Sequence, residues 1–145
     1  MSKLMVSVSG VRGIYGDTLT PEIAMKYAAH FGIYSNRGKI VVGRDSRTTG
    51  PAMFNAVTAG LMSVGCDVVD LGIVSTPTVL LAVEESDASG GISITASHNS
   101  AEWNAMKFVG ENGMFLFPEN ADTFINSLDT PVDYAGWDRI GKISQ

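Results

Sequence analysis

A chain of 145 residues, 45% hydrophobic and 17% charged, predicts one soluble globular domain with a core of its own. Its net charge of −5, ten basic residues against fifteen acidic ones with no basic block, argues against nucleic acid as the main partner. The single cysteine, Cys66, excludes an internal disulfide, no apolar run approaches the ~20 residues of a membrane span, and the first residues carry no signal-peptide pattern, so the expectation is a cytoplasmic protein without a membrane partner.

Taken in chain order, residues 4–8 form a short strand candidate and Gly10-Val11-Arg12-Gly13-Ile14-Tyr15-Gly16 a glycine-rich turn. Thr20-Pro21-Glu22 marks a helix start: a hydroxyl N-cap, a proline in the first turn and an acid at the positive end of the dipole. Ile23, Tyr27, Phe31 and Tyr34 then recur at helical spacing. Residues 39–43 predict a buried strand. Pro51 opens a second helix with Phe54, Val57, Leu61 and Val64 on one face. Residues 67–71 are the next strand, Thr76-Pro77 starts a helix running to about Glu85, and residues 91–95 are a fourth strand. Short apolar stretches at 105–109 and 114–117 flank Gly110-Glu111-Asn112-Gly113, a hairpin signal. Residues 118–128 predict a last helix with Phe124 and Ile125 inward. The tail, 129–145, shows no element of its own and reads as part of a connecting segment.

Strand–helix alternation implies an α/β fold of three layers, α/β/α, around a mixed, mainly parallel sheet of about four core strands plus the terminal hairpin. If strands 4–8, 39–43, 67–71 and 91–95 are mutually parallel, the loops after them open on one edge, where ligands sit in such folds. Those loops carry Arg12, Arg44-Asp45-Ser46-Arg47, Ser75-Thr76 and Ser97-His98-Asn99. An antiparallel strand starting near Ala105 brings Lys107 to the same edge. Cations, a hydroxyl and an imidazole facing one crevice are the chemistry of a phosphate site.

Each residue also has a plainer role open to it. Ser97 can attack, bind, or cap its own turn. A hydrolase triad is disfavoured, because Ser97 lies between Ala96 and His98 and not in a Gly-x-Ser-x-Gly elbow. Arg44 and Arg47 can simply pair with Asp45 or nearby acids, and Lys107 can lie on an exposed strand face. Gly10, Gly13 and Gly16 lack the dinucleotide spacing. His30, within an apolar helix, reads as packing or surface.

Four ordered motifs carry a resemblance: Ser9-Gly10-Val11-Arg12-Gly13, Val42-Gly43-Arg44-Asp45-Ser46-Arg47, Gly72-Ile73-Val74-Ser75-Thr76-Pro77, and Ile94-Thr95-Ala96-Ser97-His98-Asn99 with Trp103-Asn104-Ala105-Met106-Lys107-Phe108. Together they resemble the first domain of the α-D-phosphohexomutases, the family of phosphoglucomutases, phosphomannomutases and phosphoglucosamine mutases. The resemblance implies reversible transfer of phosphate between the 1- and 6-positions of a hexose phosphate through a bisphosphorylated intermediate. Ser97 matches the phosphoserine, with Arg12, His98 and Lys107 as catalytic neighbours and Asn99 and Arg44 as phosphate contacts. Mg²⁺ would meet the chain only through the phosphate on Ser97, its other ligands coming from a further domain. On this reading residues 1–130 are the phosphoserine-bearing domain and 131–145 a linker toward a second one, so that the remaining domains and a hexose phosphate are the partners and the isolated chain is inactive. The alternative is a non-catalytic phosphosugar-binding module on the same scaffold. The sequence departs from the family in Ser100, where proline is usual, in Val6-Ser7-Val8 for Phe-Gly-Thr, and in Asn104-Ala105 for Asn-Gly.

Overall fold

The computed structural model describes residues 3–145. Strands β1 (Met5–Ser7), β2 (Gly10–Ile14), β3 (Ile40–Arg44), β4 (Val68–Ile73), β5 (Gly90–Ile94), β6 (Trp103–Val109) and β7 (Ile143–Ser144) form one sheet in the order β1-β2-β6-β5-β3-β4-β7. Helices α1 (Pro21–Tyr34), α2 (Gly50–Ser63), α3 (Thr76–Glu84) and α4 (Pro118–Ser127) complete an α/β fold of three layers.

The helix starts follow the expected chemistry. Thr20 Oγ1 accepts the Ile23 N–H at 3.2 Å and Ser75 Oγ the Thr78 N–H at 3.4 Å, each just ahead of a first-turn proline. On one face of the sheet α1, α2 and α4 bury the larger core. Phe31, Phe108 and Phe124 meet at its centre, with ring centroids 4.8–5.6 Å apart. Burying each such side chain contributes about 1.5–3 kcal/mol. The helices α1 and α2 cross so closely that a Cβ at Gly60 would collide with the Met25 carbonyl oxygen. On the opposite face α3 packs over β3 and β5, burying Val79 and Val83 against Val41 and Val109.

Four expectations need correction. The segment 10–14 is a strand, not a turn, and the chain reverses at Val8-Ser9 before it. Consequently the first strand is antiparallel to the core strands: β1 opposes β2, and β2 and β5 both oppose β6. The sheet is mixed and mainly parallel in direction, as expected: β2, β3, β4, β5 and β7 run one way, and β1 and β6 the other. The hairpin after β6 shrinks to one bridge, Val109 to Phe115, because the chain enters α4 at Pro118 and leaves no room for a return arm. The partners of β6 are instead β5 and β2. Finally, the tail does contain an element. The strand β7 pairs with β4, and the Ala135 and Gly141 amides donate to carbonyls at the end of α2.

Candidate functional site

Parity along the strands decides what reaches this site. Val11, Met106, Phe108, Ile92 and Ile94 point into the larger core, so Arg12, Lys107 and Thr95 project from the other face. That is the face of α3, but α3 covers β3 and β5, reaches β6 only at its Val109 end, and leaves β2 and the rest of β6 uncovered. The uncovered area is a cavity of about 580 Å³, bordered by Arg12, Ser97, Lys107 and the N-terminal segment from Lys3 to Ser7. Arg12 therefore arrives from the middle of β2 and not, as expected, from a loop following the first strand.

Ser97 is exposed in the connection between β5 and β6 and has φ +54°, a region that side-chain-bearing residues adopt rarely. Several bonds hold it there. The Thr95 hydroxyl donates to Asp45 Oδ2 at 2.6 Å and accepts the Ser97 N–H at 3.1 Å. Asp45 in turn receives Arg47 Nε on Oδ2 and the Arg47 N–H on Oδ1, both at 3.1 Å. On the solvent side Lys107 Nζ donates to Ser97 Oγ at 2.8 Å. Arg12 Nη1 donates to Asn99 Oδ1 at 3.2 Å. Downstream, hydrogen bonds from its own backbone N–H and from the Ser100 hydroxyl hold the Glu102 carboxyl below its ordinary range.

Of the residues singled out from sequence, Ser97, Lys107, Arg12 and Asn99 are brought together. His98 is exposed beside Ser97 but does not border the cavity. Arg44 stands apart: its guanidinium donates to the Asp45 carbonyl at 3.4 Å and lies against Gly50 at the start of α2. The pairing with Asp45 expected for the two arginines holds for the side chain of Arg47. Thr95 was not foreseen. Its signal was alternation, since it follows Gly91 and Ser93 on the face opposite Ile92 and Ile94. Lys3, at the cavity border, gave no sequence signal.

Chemically the arrangement is an exposed hydroxyl with an ammonium at hydrogen-bond distance and a guanidinium on the neighbouring strand. Such a set stabilises negative oxygen gathered at Ser97 Oγ. Residues 3–133 match the family model described as phosphoglucomutase/phosphomannomutase, alpha/beta/alpha domain I. The chain belongs to this family. Among its relatives, the phosphoglucomutase/phosphomannomutase of Thermococcus kodakarensis is 41% identical over 141 residues, which are 92% of this chain and 31% of that protein. The phosphoglucosamine mutase of Bacillus pumilus is 41% identical over 129 residues, 86% of this chain and 29% of that protein. A crystal structure of a phosphoglucomutase/phosphomannomutase family protein from Burkholderia thailandensis superposes with a TM-score of 0.80 at 26% identity, covering 97% of this chain and 33% of the other. The phosphohexomutase domain I described here thus spans about a third of the length of the proteins it matches. Among the described residues no helix is long and apolar enough to cross a membrane, and no group of three His, Cys, Asp or Glu side chains could hold a metal ion.

Proposed function

We propose that this chain is the phosphoserine-bearing first domain of a cytoplasmic phosphohexomutase, with Ser97 as the phosphoryl carrier. The observation that carries the proposal is the 2.8 Å contact of Lys107 Nζ with Ser97 Oγ, on an exposed residue beside a cavity that Arg12 also borders. In the transfer, the bond from phosphorus to Ser97 Oγ breaks as a bond to a hydroxyl oxygen of the hexose phosphate forms. Lys107 donates a hydrogen bond to the departing Oγ, and the sugar hydroxyl proton passes to a nearby acceptor, a role that His98 can fill. Arg12 balances charge on the equatorial oxygens, which is the main task of a protein in phosphoryl transfer. Returning the other phosphate of the bisphosphorylated sugar to Ser97 reverses these steps. Asn99 orients Arg12, and Arg44 would contact phosphate only by leaving its present position.

A magnesium ion fits this chain through a single donor, the phosphate on Ser97. The Asp45 carboxylate is committed to Arg47 and Thr95, and no cluster of three ligating side chains occurs among the described residues, so the other ligands would come from a further domain. The same division makes residues 131–145 the link to a following domain, even though they pack on α2 and β4. It also predicts no mutase turnover by the 145-residue chain alone.

Intact-mass analysis of the full-length protein tests the proposal. The expected result is one phosphate per chain, absent in Ser97→Ala. A full-length protein that binds hexose phosphate and is never phosphorylated at Ser97 would be the binding module instead.

A further inference from the structure

Arg47 offers no N–H to a ligand. A guanidinium has five N–H groups in one plane, and here each has a protein acceptor. Nε serves Asp45 Oδ2. Nη1 serves the carbonyls of Ser100 and Trp103 at 2.7 and 3.2 Å, and Nη2 those of Ser97 and Asn99 at 2.9 and 2.8 Å. Three of the five acceptors, the carbonyls of Ser97, Asn99 and Ser100, therefore belong to the β5–β6 connection, which has no strand or helix of its own, and a fourth is that of Trp103, the first residue of β6. The arginine side chain is only 12% exposed, against a charged partner whose position is fixed by Thr95.

We infer that Arg47 is a positioning residue: it ties three carbonyls of the β5–β6 connection to that of Trp103 at the start of β6 and thereby fixes Ser97 Oγ toward Lys107. The inference rests on the reading of Ser97 as phosphoryl carrier only for its consequence in catalysis, since the loop geometry stands without it. The guanidinium restrains the loop by hydrogen bonds to its backbone. Lysine cannot replace it, because an ammonium carries three donors on a tetrahedral point and cannot reach four carbonyls in a plane.

Two variants and two readouts test this. In the 145-residue chain, backbone ¹⁵N relaxation and amide exchange are measured for wild type, Arg47→Lys and Arg47→Met. The expected result is loss of order confined to residues 96–103 in both variants, with the amides of β3 and β5 still protected. Arg47→Lys keeps a cation beside Asp45, so it reports on the loop even if Arg47→Met fails to fold. In the full-length protein, Arg47→Lys is expected to lower kcat by about 10²-fold with KM within about threefold, because a misplacement of about 1 Å costs that much. A wild-type-like ordered loop in Arg47→Lys overturns the inference whatever the activity. A disordered loop in a protein never phosphorylated at Ser97 upholds it while removing the mutase reading. A rise in KM at unchanged kcat, the mark of a substrate contact, also overturns it.

Discussion

The two halves of the α3-side face are built alike and finished differently. Over β3 and β5 the helix α3 covers the sheet, and Thr76 and Ser93 hydroxyls pair beneath it at 2.9 Å. Over β2 and β6 no helix follows, so Arg12 and Lys107 border an open cavity together with Ser97. Polar groups in the covered half bond to protein, whereas those in the open half keep capacity for a ligand. The Asp45–Arg47–Thr95 cluster belongs with the covered half in this sense, although it touches the same loop. A missing layer, and not an added one, makes the site.

On that contrast, substitutions in the open half change activity and spare stability, those in the covered half cost stability, and Arg47, through the loop it holds, is the exception that also costs activity. The largest effect is expected for Ser97→Ala in the full-length protein: turnover falls by about 10⁴-fold or more, with unfolding free energy within about 0.5 kcal/mol of wild type. Next is Lys107→Met, for which kcat should drop by about 10²-fold, as for loss of one donor to a transition-state oxygen, again without a shift in the urea midpoint. A large loss of stability in either variant breaks the comparison.

On the other side, Asp45→Ala leaves the Thr95 hydroxyl and Arg47 Nε without their shared acceptor. Equilibrium urea unfolding of the isolated chain should show a loss of about 1–3 kcal/mol.

His30 sharpens the contrast further, because it is buried in the larger core with no hydrogen-bond partner at Nε2. Burial, and then the charge of Lys26, lower its pKa below the ordinary value. The folded state therefore holds the neutral ring, and the unfolded state takes up the proton first. Stability is full above the unfolded pKa of about 6.5 and declines as pH falls through the folded value. Thermal melts across this range should show the decline, and His30→Met should flatten it. The smallest effect is chemical: burial pushes the Cys66 thiol up to about 12, so the native chain should resist thiol labelling at pH 8 until denatured.

Helix starts and core faces were legible because each signal is local. Thr20-Pro21, Ser75-Thr76-Pro77 and the Tyr27–Phe31 spacing need no distant partner to be understood. The loop carrying Ser97-His98-Asn99 was legible for the same reason, and the motif order supplied its family. Strand direction was not, because it depends on pairing. A glycine at positions 10 and 13 reads as a turn until β6 is present to accept β2 as a neighbour. The two-residue β7 is recruited by β4 and has no pattern of its own. Within the site, the sequence put Arg44 and Arg47 in one motif, and only three-dimensional bonding separates a guanidinium with all five donors taken from one lying against Gly50.

The ladder between β2 and β6 has one more consequence. Arg12 lies opposite Ala105 and Lys107 opposite Gly10, so the two cations are diagonal neighbours on one face, two residues apart in register. Their separation is set by the pleat and not by any loop. A single insertion between Gly10 and Arg12 would turn the guanidinium toward the phenylalanine core, and no loop change could restore it.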